Sequence, residues 1–151
     1  MLHAKKSGPV SRRYEITRDG TPLTVVEARS GGEFRLDRAT YRIRRPLGKP
    51  YQLLSADGTV LATAARPGSR MWSVRSGGAE LLFRRSSLGG REHVQVDAAG
   101  NAIGTIAARA GTVDAELAGA SLELQVFTIA ALSMRQRRRR GTITAVAASG
   151  G

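Results

Sequence analysis

Nine nearly continuous apolar residues, 126–134, limit how this chain can fold more than any other feature. No charged residue interrupts them, so a helix over this stretch has no polar stripe and must be buried on every side or lie in lipid. The arginines that follow, and Gly141 after them, suit the negative pole and the end of a helix. The sequence therefore predicts a helix at about residues 126–138 that is enclosed by the rest of the chain.

The preceding part of the chain has the pattern of β-strands. From Arg13 to about Val126, apolar and polar residues alternate in short runs that are separated by turns rich in glycine and aspartate. A period of two is typical of strands with one buried and one exposed face. Twelve strands are predicted, at residues 13–18, 22–29, 33–37, 40–44, 50–55, 59–65, 71–76, 79–85, 91–97, 101–108, 112–117 and 121–125.

The predicted strands and the predicted helix fit together as one closed structure. A closed barrel of a dozen strands is too wide for its own side chains to fill. A helix of ~13 residues is about 20 Å long, and strands of ~6 residues have about the same length. We therefore expect a mainly β protein, an antiparallel closed barrel of about twelve strands around a buried hydrophobic C-terminal helix.

The length of 151 residues suits a single domain. We expect a flexible segment at residues 1–12, the barrel domain at 13–140 and a C-terminal tail at 141–151. The alternative is a membrane span at about residues 117–134, because the apolar stretch extended back to Leu117 approaches the ~20 residues that a span needs. No apolar run typical of a signal peptide follows the first residues, so we expect a cytoplasmic location, with peripheral membrane attachment as an option.

Five features of the chain, taken together, resemble those of a known superfamily. They are the strand-turn units at residues 14–20 and 51–58, the strand residues Trp72-Ser73-Val74, the turn at 97–104, and the strand at 122–126 that is predicted to run into the apolar helix. This set is similar to the tubby C-terminal-like superfamily, which includes phospholipid scramblases and LURP-one-related proteins. The resemblance covers about residues 13–137.

The resemblance implies a twelve-stranded barrel around a hydrophobic C-terminal helix and a non-enzymatic binding or membrane-associated module. Some members of the superfamily recognise phosphoinositide head groups. Scramblases carry an acidic calcium-binding segment near the helix, whereas this chain has five arginines within residues 135–140. Calcium dependence is therefore not carried over, and neither are tubby's lipid-binding residues, which match no specific positions here.

Groups that could carry out catalysis or bind a metal are sparse. Cysteine is absent and there are only two histidines, which excludes disulfides and thiolate metal sites. His93 with Glu92 and Asp97 is the one grouping of a histidine with acids in the predicted barrel, and on an alternating strand we expect it on the solvent face. Trp72 is expected to face the core. With no phosphate-binding glycine motif or nucleophile elbow either, we expect no enzyme, no metal site and no cofactor.

The basic residues are the better candidates for function. The formal net charge is +12, carried by 21 Arg and 3 Lys, and a guanidinium group can hold a phosphate with two hydrogen bonds. The candidate anion-binding residues lie near strand ends or in the arginine run after the helix: Arg42, Arg44, Arg45, Lys49, Arg84, Arg85, Arg135, Arg137, Arg138, Arg139 and Arg140.

These residues predict a module that binds anionic phospholipid head groups, a membrane surface or an acidic protein. A nucleic-acid-binding domain is the alternative, since the charge favours it, although aromatic residues for base stacking are few. A third interpretation is that the arginines bind no ligand and serve only as soluble charged residues on the surface.

Overall fold

A computed structural model describes residues 1–7, 13–27, 32–86 and 91–134. One helix lies in these ranges, α1, which begins at residue 122 and is described to residue 134. It is preceded by twelve strands: β1 Leu2–Lys6, β2 Arg13–Arg18, β3 Thr21–Glu27, β4 Phe34–Leu36, β5 Ala39–Arg44, β6 Tyr51–Ser55, β7 Val60–Ala65, β8 Met71–Ser76, β9 Ala79–Arg85, β10 Glu92–Val96, β11 Ala102–Arg109 and β12 Thr112–Glu116.

The strands form one antiparallel sheet that closes almost completely on itself. Its order is β3-β2-β1-β12-β11-β10-β9-β8-β7-β6-β5-β4, so that β3 and β4 are the two edges. A bridge joins these edges, in which the backbone N–H of Glu27 donates to the carbonyl of Glu33 at 3.1 Å. The predicted fold class, a twelve-stranded antiparallel barrel with a C-terminal helix, is confirmed.

The seam between β3 and β4 is where closure is incomplete. The Glu27–Glu33 bridge would place Val25 opposite Arg35, but no further backbone bridge joins the two edges within the described residues. The Thr24 hydroxyl donates instead to the Arg35 carbonyl at 2.6 Å. A cleft of about 480 Å³ lies along this seam.

Helix α1 lies inside the barrel. Residues 126–133 are all buried, and eight successive residues cover more than two turns and hence every side of a helix. The hydroxyls of Thr128 and Ser133 donate to the carbonyls of Leu124 and Ile129 at 2.8 and 2.9 Å. Two buried polar side chains are thereby satisfied within the helix, so the apolar sheet can surround it.

The first strand corrects the first half of the prediction of a flexible segment at residues 1–12; residues 8–12 lie outside the described residues. Leu2–Lys6 forms β1, which pairs with both β2 and β12. Leu2 and Ala4 are buried, while Lys5 is exposed. The sequence of β1 alternates like a strand, but over only five residues. The strand that pairs with it, β12, is far away along the chain, so a local pattern does not reveal the pairing.

The start of the helix corrects a second prediction. The strand predicted at 121–125 is wrong, because α1 begins at residue 122, about four residues earlier than predicted. The backbone N–H of Gln125 donates to the Ser121 carbonyl, and its side chain donates to the Ala120 carbonyl at 2.9 Å. The place of the twelfth strand is taken by β1. The predicted helix end at 138 and the tail at 141–151 lie outside the described residues.

The described structure does not contain one continuous helix over the alternative membrane span at about residues 117–134. Residues 122–134 form α1 within the barrel, and residues 117–121 are a link rather than part of a helix. Within the described ranges, no helix has both the length and the apolar character needed to cross a membrane.

Candidate functional site

The antiparallel order sends alternate connections to opposite ends of the barrel. The β2–β3, β4–β5, β6–β7, β8–β9 and β10–β11 connections and the β12–α1 link lie at one end, here named the turn end. The other six connections lie at the opposite end, here named the loop end. Helix α1 runs from the turn end to the loop end, since a side chain added at Gly32 or Gly68, both in loop-end connections, would meet Met134 or Leu132.

The turn end is acidic. Its described connections contain four aspartates and one arginine, namely Asp19, Asp37, Asp57, Asp97 and Arg38. The N-terminal amine of Met1 also lies there and donates to Asp19 Oδ1 at 2.9 Å. That hydrogen bond, followed by the charge of the amine, lowers the pKa of the Asp19 carboxyl.

Two aspartates of the turn end, Asp57 and Asp97, accept hydrogen bonds from the turns that carry them. Asp57 Oδ1 accepts from the Ser55 hydroxyl and from the backbone N–H of Thr59, and these bonds lower the pKa of Asp57 to about 2. Asp97 Oδ1 accepts from the backbone of Asn101 at 2.9 Å, which lowers the pKa of that carboxyl too. These are the local side-chain-to-backbone bonds typical of Asx turns, so the acidity here has a structural use.

The loop end is basic. Its described connections contain five basic residues and one acidic residue, namely Arg45, Lys49, Arg66, Arg70, Arg91 and Glu33. None of the five basic side chains forms an ion pair with any residue in the described part of the chain. Charge is therefore separated between the described connections of the barrel, with cations that form no ion pair at one end and carboxylates, three of the four hydrogen-bonded, at the other.

Two contacts order the rim of the loop end. The guanidinium carbon of Arg45 lies 5.2 Å from the centroid of the Tyr51 ring, within the range of a cation–π contact. The backbone N–H of Arg85 donates to the carbonyl of Arg70 at 2.9 Å, which brings the β7–β8 connection against the end of β9. Arginines from different parts of the sequence thus lie on one edge of the barrel.

The predicted anion-binding residues divide into three groups. Arg45 and Lys49 lie in a loop-end connection, while Arg44 and Arg85 are the last residues of strands that finish there, with Arg84 one position before. Arg42 lies further along β5, exposed beside a cleft of about 150 Å³. Arg135, Arg137, Arg138, Arg139 and Arg140 lie outside the described residues. Sequence reasoning missed Arg66, Arg70 and Arg91. They are isolated in the sequence, and only the strand order shows that they lie at the same end of the barrel.

His93 is buried, which corrects its predicted position on the solvent face. It is 1% exposed, and Trp72, buried as predicted, donates from its indole Nε1 to His93 Nδ1 at 3.1 Å. Burial, and secondarily the charge of Arg85, lowers the pKa of His93 to about 4. Glu92 is exposed on the opposite face of β10, and Asp97 lies in the turn-end connection, so the three residues do not form a site.

Gln95, on the same inward face as His93, fixes the entrance of the helix. Its side-chain amide donates to the Ala118 carbonyl and accepts from the Ala118 N–H, both at 2.8 Å. Gly104 makes room for this clamp, because a Cβ there would meet Gln95 Oε1 and lie 2.6 Å from the Glu116 carbonyl oxygen. His93 and Gln95 therefore face inward, where each side chain has a hydrogen-bond partner, and Val94 and Val96 face outward.

In the described ranges, no group of three or more histidine, aspartate and glutamate side chains could hold a metal ion. No protein-family model, curated protein or solved structure matches this chain. The loop end is therefore the candidate functional site on its geometry alone: a rim of guanidinium and ammonium groups that can bind phosphate or carboxylate oxygens.

Proposed function

We propose that this protein is a non-enzymatic module that binds anionic phospholipid head groups at a membrane surface through the loop end of its barrel. The separation of charge between the two ends is the observation that supports this proposal most strongly. The class of function agrees with what the resemblance to the tubby C-terminal-like superfamily implies.

A flat anionic surface is a better match for the loop end than a small ligand. The basic side chains come from three separate connections of one barrel end, so they are spread over a rim instead of converging on one pocket. A plane of phosphates can contact such a rim at several points, and each basic residue near an anionic membrane contributes about 1 kcal/mol. The carboxylates of the turn end would point away from that plane.

The aromatic side chains favour lipid over nucleic acid as the partner. Proteins that bind single strands stack bases on exposed aromatic rings. All seven aromatic residues of this chain are described and none is exposed: Phe34, Phe83, Phe127, Trp72 and Tyr51 are buried, and Tyr14 and Tyr41 are partly buried. A nucleic acid would therefore find charge on this protein but no stacking platform.

Vesicle co-sedimentation tests the proposal directly. The full chain is mixed with vesicles of phosphatidylcholine alone, or with phosphatidylserine or a phosphatidylinositol phosphate added, at low and at physiological salt. We expect binding to the anionic vesicles only, weakened as salt screens the charges. Equal binding to neutral vesicles, or no binding to any anionic vesicle, would contradict the proposal.

Two variants with the same change in net charge locate the binding surface. The loop-end variant carries Arg45→Gln, Lys49→Gln, Arg66→Gln and Arg70→Gln, and the control variant carries Arg18→Gln, Arg35→Gln, Arg38→Gln and Arg75→Gln. At about 1 kcal/mol for each residue, the loop-end variant should lose on the order of 10²–10³-fold in vesicle affinity at low salt. The control should lose only a few-fold, and equal losses would mean that net charge alone governs binding.

A further inference from the structure

The most exposed large hydrophobic side chain in the described part of the chain lies at the loop end. Leu47, in the β5–β6 connection, has a relative exposure of 103%. Arg45 and Lys49 stand two residues away on either side, and both are exposed. The loop end therefore has one fully exposed apolar side chain flanked by two cationic side chains.

A tight turn holds Leu47 at this tip. The backbone N–H of Lys49 donates to the Pro46 carbonyl at 3.0 Å, and Gly48 has a φ of +72°. A bond from the first to the fourth residue with positive φ at the third is the pattern of a type II turn. The leucine is therefore presented by an ordered turn, and little conformational freedom is lost when a partner covers it.

Met71 is the next most exposed, at 72%, and it also belongs to this end. It is the first residue of β8, directly after the connection that contains Arg66 and Arg70, and it lies opposite Arg84 of β9. By contrast, the exposed apolar side chains at the turn end, Met1, Val60 and Ile103, are less exposed, at 57%, 45% and 44%. The two largest exposures thus coincide with the basic end.

We propose that Leu47 inserts among the acyl chains of an anionic bilayer while Arg45 and Lys49 contact its head groups, with Met71 as a shallower second contact. The inference rests on the proposed function, since it assigns a role to one tip of the same surface. Lipid is the occupant that fits best, because a bilayer offers apolar chains directly beneath a layer of phosphates, which matches a leucine that projects beyond two cations.

Insertion of Leu47 and attraction between charges predict different dependences of vesicle affinity on salt. Attraction between the cations and phosphate weakens as salt is added, whereas burial of a leucine side chain does not depend on ionic screening. Wild-type protein should therefore keep a residual affinity for anionic vesicles at high salt, and a variant without the leucine should lack it.

The test compares Leu47→Ser with the matched control Val60→Ser, which removes an exposed apolar side chain beside a turn-end connection. Affinity is measured for vesicles that contain a phosphatidylinositol phosphate and, separately, for the soluble inositol phosphate. Leu47→Ser should lose about tenfold to a hundredfold in vesicle affinity and keep its affinity for the soluble head group. Val60→Ser should bind both as the wild type does. Both positions are exposed, so neither change should affect folding.

The outcomes separate this inference from the proposed function. If Leu47→Ser binds vesicles as tightly as the wild type, insertion is contradicted while the basic surface stands. If Leu47→Ser loses affinity for the soluble inositol phosphate to the same extent as for vesicles, the leucine serves the head-group site and insertion is again contradicted. If the wild type binds no anionic vesicle at all, the proposed function fails and the insertion fails with it.

Discussion

The two ends of the barrel use their charged residues differently. At the turn end, Asp57 and Asp97 accept hydrogen bonds from their own turns, and Gln95 clamps the link that leads into α1. At the loop end, Arg66 and Arg70 form no ion pair within the described residues. Two carboxylates at the turn end thus help to form their turns, whereas the described connections of the loop end hold cations that take part in no ion pair there.

This difference can be tested by substituting residues at each end and measuring both the stability of the protein and its binding to vesicles. Changes at the turn end should lower stability and leave vesicle binding unaltered. Changes at the loop end should lower vesicle binding and leave stability unaltered, because the basic side chains there are exposed and surface substitutions usually have small effects on folding.

The largest effect is expected at the turn-end clamp. In Gly104→Ala, the new methyl group would meet Gln95 Oε1 and the Glu116 carbonyl, and overpacking against backbone should lower the free energy of unfolding by about 3 kcal/mol. The measurement is chemical denaturation. Gly78→Ala is the control, since a Cβ at that position meets nothing within 4 Å. Equal stability of the two variants would contradict the clamp.

A second effect should arise in the core between the ends. Unfolded His93 takes up a proton near pH 6.5, whereas the buried side chain has a pKa of about 4. The unfolded state therefore binds more protons between these values, so stability should fall as pH is lowered, by about 2 kcal/mol from pH 6.5 to 4.5. Protonation of Nδ1 would also remove the acceptor for the Trp72 indole N–H.

Two readouts check the assignment to His93. The ring protons of His93 should titrate in the folded protein with a midpoint near pH 4, and His93→Gln should show a flatter dependence of unfolding free energy on pH. Arg85→Gln should raise the pKa of His93, because the charge of Arg85 contributes to lowering it. A midpoint at the ordinary histidine value would contradict the buried, neutral state.

The smallest effect is expected from neutralising the turn end. A variant with Asp19, Asp37, Asp57 and Asp97 changed to Asn raises the net charge by four units yet keeps side-chain oxygens that can accept the turn bonds. The two ends are about 20 Å apart, the length of a six-residue strand, and charges at that distance are screened at physiological salt. Vesicle affinity should change less than about twofold. A large gain in affinity would contradict the separation of the two ends.

The sequence predicted the fold where one pattern dictates one environment. A helix over residues 126–134 has no polar stripe, and a barrel of short strands of the same length can enclose it on every side. The sequence-based prediction was wrong where one pattern of apolar and polar residues is compatible with two structures. Residues 121–125 alternate as a strand does, yet α1 begins at residue 122. In β10, His93 and Gln95 face inward, because Trp72 and Ala118 provide their hydrogen-bond partners.

The candidate site could be predicted only in part, for a related reason. Arg45 and Lys49 stood out because they lie close together in the sequence, but Arg66, Arg70 and Arg91 join them only through the strand order. The same holds for β1, since Leu2 pairs with Ala115, far away along the chain. Features that depend on distant partners are not visible in a local pattern.

The orientation of the barrel on a membrane tests the central claim most directly. The chain has no cysteine, so single cysteines for spin labels can be placed at Ala110, in the β11–β12 connection of the loop end, and at Ala56, in the β6–β7 connection of the turn end. Both positions are exposed. On anionic vesicles that contain a nickel-chelating lipid, the label at position 110 should relax faster than in solution, and the label at 56 should not. Equal enhancement at both positions, or a stronger one at 56, would contradict the claim that the loop end faces the membrane.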